Sequence, residues 1–285
     1  MNHNKLTSIS HNIRKHIIKL TAKGGCFIGA SLSCVEILTY LYCEVLDQNL
    51  DHDGNYLSGD IFLLSKGHDV PTLYGLFVEL GLLKEHRLSN HLDGKDFIYW
   101  HPNTNIPGVY FHSGSLGHNP SVALGIAKAM KLKSHNHKVY VLLGDGELNE
   151  GTVWEAALLA NAKKLDNVIF LIDRNGFQAN MPTEELIPLE PVEDKFKSFG
   201  FDTFRGCGHD FKEISTLFNQ LEKTESNQKP KLVTFDTIRG KGLPSIEKKA
   251  DRWFCQFTED EVKELLTELA GQNSAELKSK TLTVR

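Results

Sequence analysis

Apolar positions recur along the chain first at helical and then at strand-like spacing, and this alternation predicts the architecture. Leu6, Ile9, Ile13, Ile17 and Leu20 fall three or four apart, on one face of an amphipathic helix over residues 6–22. Ser33–Leu46 is apolar enough for a buried helix, and it follows a glycine-rich turn, Gly24-Gly25-Cys26-Phe27-Ile28-Gly29. Asp60–Ser65 is a short apolar run ending at Lys66-Gly67-His68, a strand entering a loop, and helical spacing returns over 71–83. Between 86 and 120 the chain is rich in His, Asn, Gly and Pro, and such a long irregular stretch is expected where loops build a site.

Past residue 120 the alternation sharpens. Lys138–Leu143, Asn167–Asp173 and Lys231–Ile238 read as apolar strands. Between and around them, Ser121–Lys133, Glu147–Lys164, Val192–Phe199 and Phe211–Lys223 read as helices, with a terminal helix over 259–270. Continuously apolar strands separated by amphipathic helices predict an α/β fold, a mostly parallel sheet with helices on both faces. No internal repeat or linker interrupts it, so one domain is expected over 1–270, with a polar tail over 271–285 that frays. Phe27, Leu32, Ile37, Leu38, Leu41 and the Trp154–Leu159 helix face read as core packing.

Charge and cysteine usage narrow the function classes. The 285 residues carry 32 Lys+Arg against 36 Asp+Glu, a net charge of −4 without long basic runs, which argues against a nucleic-acid surface. No apolar run approaches the roughly 18 residues of a membrane span, and the polar, basic N-terminus lacks the apolar centre of a signal peptide. Cys26, Cys34, Cys43, Cys207 and Cys255 are odd in number and widely spaced, with no Cys-x-x-Cys pair. They suit neither a disulfide framework nor a zinc site, and predict a reducing, cytoplasmic setting. His118, His135 and His137 have no metal-ligand spacing and read as surface or loop residues.

The chemistry concentrates between Gly144 and Gln178, where GDGELNEG opens a helix and the next strand ends in DRNGFQ. Ligands of open α/β sheets bind beyond the carboxyl ends of the strands, and Asp145 and Asn175 follow their strands directly. Two oxygen-bearing side chains and a free carbonyl in the turn suit a hard divalent cation such as magnesium, completed by phosphate oxygens and water. Gly144 and Gly146 would let a phosphate approach the backbone, and the following helix start offers N–H donors. A second reading is open on the residues alone: a tight turn whose Asp and Asn satisfy local backbone groups.

The segments then match a known family. GDG followed about 30 residues later by Asn resembles the diphosphate and magnesium motif of thiamine-diphosphate enzymes. The chain as a whole resembles the N-terminal half of transketolases. GASLSCVEILTYLY (29–42), LLSKGHD (63–69), LYGLFVELGLL (73–83), WHP (100–102) and GSLG (114–117) carry the first part of the likeness. GDGELNEGTVWEAA (144–157), LDNVIFLIDRNGFQ (165–178), GHD (208–210) and TIRGKG (237–242) carry the rest, in the family's order. The resemblance implies a thiamine-diphosphate-binding fold, its diphosphate-binding domain, with thiamine diphosphate and Mg2+ (or Ca2+ or Mn2+) as cofactors. It implies that Asp145, Asn175 and the carbonyl of Phe177 hold the metal and that Gly144 and Gly146 lie against the diphosphate. It further places His68 near the reactive end of the cofactor, Gly114 and Leu116 by the aminopyrimidine, and His101 on the donor's oxygens. Glu150 matches a buried glutamate at a subunit contact, and Lys241 is a further candidate cofactor contact, or simply a solvated loop lysine.

Departures from the family pattern bear on substrate choice. Phe27 and Phe254 stand where histidines facing the cofactor or sugar donor are usual, which makes the substrate pocket more apolar and removes hydrogen bonds. A site that reads hydroxyls discriminates through such bonds, so the expected donor widens from a ketose to a less hydroxylated molecule such as pyruvate or another 2-oxo acid. Asp69 and His118 replace a usual Ala and Gln. The glutamate that activates the cofactor lies, in this family, in a pyrimidine-binding domain that this chain does not contain. The resemblance therefore implies a split carboligase, with a second subunit carrying the pyrimidine-binding and C-terminal domains in an α2β2 assembly. The alternatives are an inactive paralogue of the same fold serving a structural or regulatory role, and an unrelated nucleotide-binding α/β protein. The latter lacks a Gly-x-Gly-x-x-Gly or Gly-Lys-Ser/Thr phosphate loop.

Overall fold

Five strands form the central sheet: β1 (Ile61–Leu64), β2 (Val139–Gly144), β3 (Val168–Arg174), β4 (Asp202–Cys207) and β5 (Lys231–Asp236). The structure, a computed structural model, describes residues 2–51, 56–224 and 227–279 and the backbone of 281–282. The spatial order is β1-β2-β3-β5-β4, and every neighbouring pair is parallel. In β1, β2, β3 and β5 most side chains are buried on both faces, because alternate residues of each pleated strand enter different cores. Tyr140, Leu142, Ile169, Leu171, Val233 and Phe235 belong to one cluster; Val139, Val141, Leu143, Val168, Phe170 and Ile172 belong to the other.

The helices complete the two layers. α1 (His3–Leu20), α2 (Ile28–Ser33), α3 (Val35–Tyr40) and α4 (Val70–Glu79) pack into the first cluster. α5 (Asn119–Leu132), α6 (Gly151–Ala162) and α7 (Val192–Ser198) close the second. α8 (Phe211–Lys223) and α9 (Glu259–Leu269) return to the first. The predicted α/β class and parallel sheet are what the chain forms. Among the described residues, no helix is long and apolar enough to cross a membrane.

Several boundaries differ, each for a local reason. The helix expected over Ser33–Leu46 is broken at Cys34, where the backbone leaves helical geometry between α2 and α3, and it ends in a π-turn over Leu41–Val45. Ser31 and Ser33 donate their hydroxyls to the Phe27 and Ala30 carbonyls, competing with the helical ladder. α4 stops at Glu79, short of residue 83, because Gly81 turns the chain with φ +77°. The helix expected over Glu147–Lys164 opens as a short 3-10 turn, Gly146–Asn149, and restarts after Glu150, which is extended. β4 has no apolar signature; it is a sheet-edge strand with partly exposed side chains and escapes a hydrophobicity reading. Beyond α9 the chain is not frayed through residue 279. Glu261 accepts the backbone N–H groups of Lys278 and Ser279 at 2.7 Å each, and Thr281–Leu282 pairs with Phe254–Cys255. Residues 280 and 283–285 of the predicted tail lie outside the described residues.

Candidate active site

The strand register decides where the chemistry meets. Gly144 pairs with Asp173, and Arg174 with Asp236, so the turns after β2, β3 and β5 leave the sheet at one carboxyl-end rim. A cavity of about 310 Å³ opens there. The turn after β2 contributes Gly144, Asp145 and Gly146 to its wall, and the turn after β3 contributes Asn175 and Phe177. The loop after β1 adds His68, the irregular stretch adds His101, Gly114 and Leu116, and the glycine-rich turn adds Phe27. Residues spread over 150 positions of sequence thus converge on one cavity.

Three sequence candidates stand outside that wall. Phe254 lies behind Phe27, ring centroids 5.1 Å apart, while Trp253 takes the place on the cavity itself, 5.2 Å from Phe27. Lys241 does not reach the cavity; its carbonyl accepts from Arg14 Nε at 2.9 Å and its ammonium lies 3.9 Å from Glu247. Glu150 is exposed in this chain, beside Gly117, so burial of its carboxylate would need a second chain. Phe27 is a half-buried wall residue rather than core, its ring 5.3 Å from His68 and 6.4 Å from His101. His118 and His135 are exposed and His137 half-buried, as expected of loop histidines.

The carboxylates at the rim are held in place by the backbone. Asp145, 1% exposed, accepts the N–H of Gly146 at 2.8 Å and of Gly176 at 2.7 Å, and Arg174 Nη1 at 2.8 Å. Burial raises its pKa even against the Arg174 charge. Asn175 donates to Asp173 at 3.2 Å, which turns its amide oxygen toward the Phe177 N–H at 3.0 Å. The tight-turn reading thus describes the protein's own hydrogen bonds, and the donor set remains all oxygen: a carboxylate, an amide and a backbone carbonyl. Such a set fits magnesium or another hard cation. At two positions of this wall the protein's own packing requires glycine. A Cβ on Gly146 would lie 2.8 Å from Gln178, and Gly114, at φ +147°, would press one to 3.0 Å from His101. The residues present fit a metal-bound diphosphate.

Two buried groups were not singled out by sequence reasoning. Glu147 accepts Gly117 N–H at 2.8 Å and the Ser65 hydroxyl through one oxygen and Gly144 N–H at 3.2 Å through the other. One side chain thereby ties three site loops together, although burial pushes its carboxyl up to about 7. An acid at a helix start is ordinary, which hid it. Lys66, fully buried, pairs with both Asp69 and Asp173, and Asp173 also accepts Ser33 Oγ at 2.5 Å and the Thr237 hydroxyl. Asp69, a departure from the family pattern, is therefore the counter-ion of a lysine in the same turn. Burial first, and then the charge of Lys66, pull the His68 pKa down to about 3, and burial also lowers that of His101. Both imidazoles are neutral at physiological pH, each able to donate one hydrogen bond and accept another.

Known proteins place this geometry. Residues 11–279 match the family model described as transketolase, thiamine diphosphate binding domain. The chain is 36% identical over 276 residues to a subunit of apulose-4-phosphate transketolase from Actinobacillus succinogenes, covering 95% of this chain and 98% of that protein. It is 33% identical over 272 residues to SqwG, a subunit of 6-deoxy-6-sulfo-D-fructose transketolase from a Clostridium species, covering 92% and 95%. Transketolase from Campylobacter jejuni superposes with a TM-score of 0.78 at 28% identity, over 94% of this chain. The chain spans 42% of that longer polypeptide.

Proposed function

The chain belongs to the transketolase family, as its thiamine-diphosphate-binding domain, and from that premise we propose its role: the diphosphate- and metal-binding subunit of a split carboligase that moves a two-carbon unit from a ketose donor to an aldehyde acceptor. One observation carries this reading: the GDG turn, the Asn175–Phe177 turn and two neutral histidines share one cavity at the carboxyl rim of the sheet. Relatives matched over nearly their whole length are named as subunits of transketolases rather than as whole enzymes, which supports a second polypeptide. We assign that partner the pyrimidine-binding and C-terminal domains and the activating glutamate, in an α2β2 assembly. The five cysteines are all unpaired, which supports a reducing cytoplasm.

When bound, thiamine diphosphate supplies the thiazolium that stabilises the carbanion left by cleavage of the donor. Everything else falls to side chains. Asp145, Asn175 and the Phe177 carbonyl would hold the metal, while Gly144 and Gly146 leave room for the diphosphate. Backbone groups of Gly114 and Leu116 would border the aminopyrimidine. His68, held neutral, would stand near the reactive end of the cofactor, and His101, also neutral, would donate to or accept from oxygens of the donor. Phe27 and Trp253 keep water from the same wall and favour a donor with few hydroxyls on that side. The relatives' names are those of ketose transketolases, so we assign a ketose donor and treat a 2-oxo acid as the competing outcome.

The test is turnover by the purified complex with thiamine diphosphate and Mg2+, offered ketose phosphates and 2-oxo acids in parallel. Ketose cleavage is expected only with both subunits and both cofactors present. Asp145→Ala should lower activity more than about 100-fold and weaken Mg2+-dependent cofactor binding. Turnover by this chain alone, or an unchanged metal requirement in Asp145→Ala, would overturn the assignment.

A further inference from the structure

Asp69 stands where an aspartate commonly caps a helix, immediately before α4, yet its side chain makes no capping bond. It is fully buried and belongs to a tight turn, Gly67–Asp69. The backbone fixes that turn: the Gly67 N–H donates to the Ser65 carbonyl at 2.8 Å and the Asp69 N–H to the Lys66 carbonyl at 3.0 Å. A Cβ at Gly67 would come within 2.6 Å of the Ser113 hydroxyl oxygen, so the loop before Gly114 packs directly onto it. The two carboxylate oxygens have separate neighbours. Oδ2 takes the Lys66 ammonium. Oδ1 has no hydrogen-bond partner and lies 3.5 Å from Nε2 of the preceding residue, His68. Lys66 also pairs with Asp173, which collects the Ser33 and Thr237 hydroxyls, so two carboxylates share one ammonium and Asp69 is the one with an oxygen to spare. A buried acceptor left without a donor is costly. Among the described residues no hydrogen bond and no other ion pair holds the His68 ring, so closing that gap to hydrogen-bond length satisfies both groups.

We propose that Asp69 is a positioning residue for His68: its spare oxygen accepts the Nε2–H, which fixes that tautomer and leaves Nδ1 as the acceptor that the imidazole offers to a ligand. With a carboxylate behind a histidine, the bond made at one ring nitrogen decides what the other can do. In this tautomer neutral His68 takes a hydrogen bond from a hydroxyl or N–H of the ligand through Nδ1 and has no proton there to give. Asp69 thus serves two groups of its own turn, Lys66 through one oxygen and His68 through the other. The tautomer is a property of the chain itself, whereas its consequence for turnover rests on the cofactor reading above.

The experiment reads the tautomer directly. The full chain is labelled with nitrogen-15 in its histidine rings, and the His68 signals are assigned by their loss in His68→Gln. Protonated and lone-pair ring nitrogens give well-separated shifts in the magnetic resonance spectrum. Burial pushes the Asp69 carboxyl up to about 7, so spectra are taken well above that value, with the carboxylate ionised. Wild type should hold His68 as the Nε2–H tautomer; an Nδ1–H tautomer overturns the proposal. In Asp69→Asn the amide oxygen stays with Lys66 and the amide nitrogen faces Nε2, so the tautomer should reverse to Nδ1–H. A role confined to pairing with Lys66 would leave the tautomer as in wild type, and that result also overturns the proposal. If the Asn variant fails to fold, Asp69→Ala decides, since Lys66 keeps Asp173. Loss of the single tautomer in Ala supports the proposal, and its persistence overturns it. In the complex with the second polypeptide, Asp69→Asn should lower kcat/KM for the donor by about ten-fold. A reversed tautomer with wild-type kcat/KM would overturn the part given to Asp69 in turnover. A wild-type complex without turnover would instead count against the cofactor reading.

Discussion

Glu147 and Glu150 sit three residues apart at the start of the same helical segment and carry opposite structural weight. The first accepts from Ser65, Gly117 and Gly144 and is 2% exposed; the second is exposed and caps nothing through its side chain. Glu147→Gln replaces one acceptor oxygen with an N–H2 donor that must face another donor. The cost of one buried unsatisfied pair is about 2 kcal/mol, a fall in Tm of roughly 5 °C for a chain of this size. Glu150→Gln in the chain without its partner should stay within about 0.5 kcal/mol of wild type. Thermal melts of the two variants side by side check this; equal Tm values would show that Glu147 does not hold the loops. Because the three loops form the cavity wall, Glu147→Gln should also weaken cofactor binding in the complex.

Among the elements, α1, α3 and the turns after β4 and β5 meet at a single carboxylate. Glu36 receives Arg14 Nη1 at 2.7 Å and His209 Nδ1 at 2.9 Å. His209 Nε2 accepts the Ile238 N–H at 2.7 Å, so Nδ1 carries the proton that it donates to Glu36. This explains the GHD segment as a tie between turns, and the Arg14–Lys241 bond gives the second glycine-flanked turn a structural role. Burial alone would raise the Glu36 pKa, but the Arg14 charge and the His209 and Arg14 bonds outweigh it and hold the carboxyl at about 2. A carboxyl depressed in the folded state stabilises it fully above its unfolded pKa, near 4.5, and loses that contribution as pH falls toward 2. Arg14→Met strands a buried carboxylate and should cost about 3–5 kcal/mol at pH 7. Its stability, followed by urea unfolding, should lose the steep fall of wild type between pH 4.5 and 2. Parallel pH profiles for the two proteins would refute the role given to this pair.

For the whole molecule, one sheet separates two hydrophobic cores, and β3 at its centre contributes to both. Phe170, buried against Phe196 and Phe201, should cost about 3–5 kcal/mol on truncation to Ala, because neither core can collapse across the sheet to fill the space. Circular dichroism and intrinsic fluorescence should still report a single coincident transition; two transitions would mean that the cores unfold separately. How much of this was legible beforehand follows from the range of each interaction. Periodicity and strand ends are local properties, so the sequence alone determined the parallel α/β class, the rim that carries Asp145 and Asn175, and, through its motifs, the family. It could not show β4, whose half-exposed edge position leaves no apolar pattern, or the break at Cys34, where serine hydroxyls compete with the helix. Nor could it tell which charges already have partners. Lys66, Asp69 and Asp173 meet across 107 residues, Glu147 spans three loops, and Arg239 remains unpaired. Pairing of buried charge depends on distances that only the folded chain sets, so the cations and carboxylates left for a ligand were decided by the tertiary structure.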